Sequence, residues 1–169
     1  MFDALHYFSK WGGVKASDYP YIAGGYGQTT GFPLVRGICT DENRIFLGSG
    51  VVTEHYPNIL TKNEIKNLLV TQGPLAVGVR VNTAFNYYSS GVFDGCPSYS
   101  WYYVNHAVLL YGWDSNDNWL IKNSWGTNWG INGTMILSSV YDCGLDADVV
   151  SMNIPNKNTN VEVRMNITI

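Results

Sequence analysis

Four apolar stretches separated by turn residues restrict this chain to a fold with an antiparallel sheet. Residues 75–81 alternate Leu or Val with small or polar residues, the pattern of a strand with one buried face. Further strands are predicted over 106–113, 118–122 and 133–138. The polar residues 114–117 join the first two of these as a hairpin. The second half of the chain is therefore expected to form a barrel-like antiparallel sheet.

Two helices are predicted ahead of these strands. Over residues 2–11, apolar side chains recur at helical spacing and a Gly-Gly pair follows as a stop signal. A second helix is expected to begin at the capping-box pattern of Thr61 and Glu64 and to end before a Gly-Pro pair. The apolar stripe of this second helix comprises Ile65, Leu68 and Leu69.

The composition is that of one globular domain. The 169 residues are 46% hydrophobic and 14% charged, which excludes a disordered chain. A net charge of -3 gives no basis for binding nucleic acid or an anionic membrane. No apolar run reaches the roughly 20 residues of a membrane span. The first residues contain no basic leader, so the chain is expected to be either cytosolic or a part of its precursor.

His106 begins one strand of the predicted hairpin, and Asn123 ends the other. A lone histidine is by default a structural residue, and the histidines at 6, 55 and 106 are too scattered to predict a metal site. An amide oxygen can, however, fix the tautomer of an imidazole and leave its second nitrogen free as a base. Trp125 and Trp129 follow, either as core aromatics or as a cover that keeps water from such a bond.

Six blocks of sequence, in order, resemble the papain family of cysteine peptidases: "GGVKASDYPY", "TKNEIKNLLVTQGPLAVGV", "FNYYSSGVF", "NHAVLLYGW", "NWLIKNSWGTNWGINGTMIL" and "CGLDADVVSMNIP". The resemblance covers residues 1–155 and leaves 156–169 as an Asn-rich tail. It implies an α+β, papain-like two-lobe fold with an incomplete helical lobe and a complete sheet lobe. No cofactor or metal is implied.

The same resemblance assigns roles to individual residues. It implies that His106 is the general base and acid, that Asn123 orients it, and that Trp125, supported by Trp129, shields the pair. The nucleophile would be a cysteine at a helix N-terminus, in a segment of the type Gln…Cys-Gly-Ser-Cys-Trp. The chain does not contain such a segment.

The three cysteines are accounted for in another way. The resemblance implies a disulfide between Cys96 and Cys143. Cys39 matches a bridged position whose partner would lie in an upstream segment or a separate light chain. The neighbours of Cys39 offer neither a helix N-terminus nor a cation, so it is not expected to be the nucleophile.

A selectivity pocket is implied at Gly78, Val104, Asn105 and Asp148. Asp148 would admit a basic side chain by charge pairing, unless its carboxylate points to solvent. The stretch between Cys96 and His106 is short, without a histidine, and gives no support for exopeptidase action.

Two functions therefore remain open. The first is a cysteine endopeptidase, acting on peptide or protein substrates, whose nucleophile-bearing segment is absent from this chain. The second is an inactive homologue that serves as a binding or structural module. The resemblance implies a lysosomal or extracellular location, and the sequons at Asn132 and Asn166 suit a secretory protein.

Overall fold

The computed structural model describes residues 1–15, 17, 44–45, 51–96 and 104–154. The helices of this part are α1 (Phe2–Trp11), α2 (Lys62–Gln72) and α3 (Thr83–Asn86), with a short 3-10 helix at Leu145–Ala147. The strands are β1 (Gly13–Val14), β2 (Arg44–Ile45), β3 (Val52–Tyr56), β4 (Leu75–Val79), β5 (Val92–Phe93), β6 (His106–Trp113), β7 (Trp119–Lys122), β8 (Thr134–Leu137) and β9 (Val149–Asn153). Cys39, the loop around it and the Asn-rich tail lie outside the described residues.

Seven of the strands form one sheet in the order β3-β9-β4-β6-β7-β8-β5. Neighbours are antiparallel except β5 and β8, which are parallel. Buried residues of α2, α3 and the sheet form one hydrophobic core. Its largest fully buried side chains include Trp119, Phe85, Ile65, Leu75 and Leu110. The α+β class predicted from the sequence is confirmed.

Both predicted helices are present. The capping box of α2 is complete, because the Thr61 hydroxyl accepts from the Glu64 N–H and the Glu64 carboxylate accepts from the Thr61 N–H. Its predicted stripe is buried against the sheet. Helix α1 contacts β3 and β9, but none of its residues is fully buried. Neither helix is long and apolar enough to cross a membrane, and the same holds for the rest of the described chain.

Strand β4 is two residues shorter than the alternating pattern predicts. The Arg80 N–H donates to the carbonyl of Cys143, and the Val81 N–H donates to Asn105 Oδ1, so neither continues the ladder with β6. The predicted disulfide between Cys96 and Cys143 is present and holds this region together.

Candidate active site

His106 and Asn123 meet at one end of the β6–β7 hairpin. His106 Nε2 lies 2.9 Å from Asn123 Oδ1. The same oxygen accepts from the Ser124 N–H at 2.8 Å, which identifies it as the acceptor and His106 Nε2 as the donor. The Asn123 N–H donates to the Gly133 carbonyl at 2.9 Å and fixes the backbone that carries the amide. This arrangement leaves His106 Nδ1 available to exchange a proton.

An aromatic cluster surrounds the half-buried His106 ring. The Trp125 ring lies over it with centroids 4.9 Å apart, and the buried Phe85 ring meets it edge-on at 6.5 Å. Trp129 stacks on Phe85 at 5.5 Å and donates its indole N–H to the Phe85 carbonyl. Trp125 remains 40% exposed, whereas Trp129 is buried. Trp125 is thus placed to limit water access to the His106–Asn123 bond. Trp129 packs against both Phe85 and Trp125.

An open cleft of about 480 Å³ adjoins Asn123. Met1, which precedes α1, and Leu5 of α1 form one wall, and Ala76 and Leu109 of the sheet form another. Asn123 is 8% exposed, and its Nδ2 has no hydrogen-bond acceptor within the described part of the chain. A buried donor without a partner costs about 1–3 kcal/mol.

Three of the four predicted pocket residues lie together. A Cβ placed on Gly78 would lie 2.5 Å from Val104 Cγ1 and 3.2 Å from Asp148 Oδ2. The Gly78 N–H also donates to the Asp148 carbonyl at 2.9 Å. Glycine is therefore required for the close approach of the other two side chains. Asn105 is engaged differently, because its amide oxygen accepts from the N–H of Val81.

Two residues of this region were not found from the sequence. Phe85 contacts the His106 ring edge-on, and the segment "FNYYSSGVF" that contains Phe85 does not predict that contact. His55 of β3 bonds Asp148, with Nε2 2.9 Å from Oδ1. No pattern in the sequence around His55 or around Asp148 predicts that these two side chains meet.

The carboxyl of Asp142, beside the disulfide, is the strongly perturbed acid of the described residues. Burial, together with the neighbouring Asp146 carboxylate, raises its pKa to about 6. The Gly144 N–H bonds Asp142 Oδ1 at 3.0 Å and partly opposes this rise. No group of three or more His, Cys, Asp or Glu side chains in the described ranges is placed to hold a metal ion.

No free thiol lies beside His106 in the described part of the chain, because Cys96 and Cys143 are bonded to each other. The His106–Asn123 pair, its aromatic cover and the adjoining cleft together form the candidate site.

Comparison with known proteins identifies the family of this site. The family model described as "Papain family cysteine protease" matches residues 1–153. The chain belongs to the papain family of cysteine proteases. A viral cathepsin of Heliothis zea nuclear polyhedrosis virus is 36% identical over 139 residues, which are 79% of this chain and 34% of the viral protein. A cathepsin L-like proteinase of Fasciola hepatica is 36% identical over 137 residues, which are 79% of this chain and 38% of that proteinase.

The papain-like fold is shared with a solved structure. Digestive procathepsin L 3 of Tenebrio molitor larval midgut superimposes with a TM-score of 0.69 at 26% identity. The match covers 90% of this chain and 48% of the procathepsin chain. The chain thus spans between a third and a half of the length of these papain-family proteins.

Proposed function

We propose that this chain supplies the general base and the substrate-binding sheet lobe of a cysteine endopeptidase. The observation that carries the proposal is the bond between His106 Nε2 and Asn123 Oδ1, with Trp125 lying over the ring. A structural histidine needs only a partner, whereas a base needs a fixed tautomer, a free second nitrogen and a cover against water. His106 has all three.

The reaction is an acyl transfer in two halves. A cysteine thiolate attacks the carbonyl carbon of a peptide bond, and the His106 imidazolium protonates the departing amine, which leaves a thioester. Water then attacks the thioester while His106 Nδ1 takes its proton; the carbon–sulfur bond breaks, the acid is released, and the thiolate and the imidazolium are restored. Asn123 is a positioning residue in both halves, because its oxygen holds Nε2–H and keeps Nδ1 turned toward the reacting atoms.

We place the thiolate on a segment outside these 169 residues, either an upstream part of the same polypeptide or a light chain bonded through Cys39. The apolar cleft between α1 and the sheet offers space for such a segment directly beside Asn123. The greater length of the cathepsin relatives supports the same assignment.

The alternative is an inactive homologue that acts as a binding or structural module. Within the described residues, the absence of a free thiol near His106 favours it for the 169-residue chain alone. The two functions differ in whether a nucleophile ever reaches His106.

The protein is proposed to work in a lysosome or outside the cell. The Cys96–Cys143 disulfide requires an oxidising compartment during folding. The sequon residue Asn132 is exposed in the turn before β8, as a glycosylated asparagine must be.

The first test is the intact mass of the native protein from its source, before and after reduction. A mass well above 18.8 kDa, or a partner released from Cys39, supports the peptidase. A mass near 18.8 kDa with Cys39 unmodified, together with no peptide hydrolysis, supports the inactive homologue.

If the larger form is found, His106→Ala is expected to lower kcat/KM for a peptide substrate about 10²- to 10⁴-fold, the usual contribution of general acid–base catalysis. His6→Ala, on exposed α1, is the matched control and should leave hydrolysis unchanged. Equal rates for wild type and His106→Ala would remove His106 from the mechanism.

A further inference from the structure

The two oxygens of the Asp148 carboxylate have different neighbours. Its Oδ1 bonds His55 Nε2 at 2.9 Å, while its Oδ2 lies 3.2 Å from the position that a Cβ of Gly78 would occupy. One oxygen is therefore held by the histidine, and the other lies close to Gly78, on the side where Val104 also approaches the glycine. Both partners of the ion pair are partly exposed, at 37% for His55 and 36% for Asp148.

The surroundings of His55 leave Asp148 as its acidic partner. On β3, the neighbouring side chains of Glu54 and Tyr56 point to the opposite face of the strand, where the Tyr56 hydroxyl donates to the Glu54 carboxylate. Across the ladder on β9, His55 lies opposite the apolar Val150.

Helix α1 presents an aromatic surface to the same histidine. The Phe2 ring stacks on His55 with centroids 5.6 Å apart and planes at 23°. His6 stacks on the Phe2 ring at 5.5 Å and is the second titratable group on this side. Phe2 thus separates the two histidines and fixes the plane of His55 so that Nε2 points to Asp148.

We propose that His55 sets the charge of the pocket formed by Gly78, Val104 and Asp148, and so sets which substrate side chain the pocket prefers. With neutral His55, the pair carries one negative charge and Oδ2 attracts a guanidinium or ammonium group. With protonated His55, the pair is neutral and the cation meets a second positive charge. Selectivity for a basic side chain is then greater at high pH, where His55 is neutral, than at low pH, where it is protonated. This inference rests on the proposed function, because it takes these residues as the substrate pocket.

The test uses two ligands that differ in charge but hardly in shape, the N-acetyl N-methylamides of arginine and citrulline. Their dissociation constants are measured by NMR titration of the full 169-residue chain at pH 5 and pH 8. The preference for arginine over citrulline is expected to be about fivefold larger at pH 8, the size of a partly screened interaction between unit charges. An unchanged ratio, or no binding of either ligand, overturns the proposal.

Variants then locate the source of the pH dependence. His55→Gln keeps a donor for Asp148 Oδ1 but carries no charge, so it should show the pH 8 preference at both pH values. His6→Gln is the matched control, and it should retain the wild-type pH dependence because His6 contacts Phe2 and not Asp148. If His55→Gln retains the pH dependence, or His6→Gln abolishes it, His55 does not set the pocket charge.

These measurements need no nucleophile. Failure of peptide hydrolysis therefore leaves the binding result standing, and failure of the pH effect leaves the His106 assignment untouched.

Discussion

His106 and His55 each bond an oxygen at 2.9 Å, but the two bonds lie in opposite surroundings. His106 has an uncharged amide as its partner, with an aromatic cluster around the ring and Asn123 buried beneath it. His55 has a charged, partly exposed carboxylate and a single ring from a surface helix. An amide orients an imidazole without adding a charge, whereas a carboxylate makes the pair negative when the imidazole is neutral and uncharged when it is protonated. The first arrangement suits a base, and the second suits a control of specificity.

The largest expected effect on stability comes from removing the phenylalanine ring that contacts each histidine, Phe85 at His106 and Phe2 at His55. Phe85 is fully buried under His106, so Phe85→Ala should lower the free energy of unfolding by about 3–5 kcal/mol. Phe2 is only half-buried beside His55, so Phe2→Ala should cost about 1 kcal/mol. Urea unfolding of both variants measures the difference. Equal losses would mean that the two sites are equally embedded in the core.

A second contrast sets the partly buried Asp142, whose pKa is raised, against Asp114, whose pKa is lowered. The raised pKa of Asp142, about 6, means that the folded state keeps a proton that the unfolded state has already released. Stability should therefore fall as the pH rises from about 4 to 6 and remain lower above it. Asp142→Asn keeps an acceptor for the Gly144 N–H and removes this loss, so it should be more stable than wild type at pH 7 by at most about 3 kcal/mol. The advantage should vanish near pH 3.5.

Asp114 provides a control of opposite sign for that pH series. Burial raises its pKa, but hydrogen bonds from Asn118 and Asn116 outweigh burial and leave the pKa below the ordinary value. Asp114→Asn should therefore be less stable than wild type at neutral pH and approach it in acid. If both variants shift stability in the same direction, burial is not the cause at Asp142.

The two histidine pairs also show which contacts the sequence predicts and which it does not. His106 and Asn123 are 17 residues apart and belong to one hairpin, whose turn residues fix their meeting at its end. His55 and Asp148 are 93 residues apart, and β3, with its sequence "VTEHY", lacks the apolar alternation that would identify a strand. Local signals such as the α2 capping box were likewise found, and the pairing of β3 with β9 was missed. Contacts between segments that are far apart in the sequence, like that of Phe85 with His106, have no signature in either segment.

The smallest expected effect compares the two oxygen partners directly. Asn123→Ala removes a buried acceptor of two hydrogen bonds and should cost about 1–2 kcal/mol, since the loss of the unpartnered Nδ2 offsets part of the change. Asp148→Ala breaks an exposed ion pair and should cost less than about 1 kcal/mol. Unfolding in 0.05 M and 0.5 M NaCl separates the two, because salt screens the ion pair and not the buried amide. A salt-dependent Asn123→Ala, or an Asp148→Ala whose cost persists in high salt, would mean that the surroundings of the two histidines do not differ as their burial indicates.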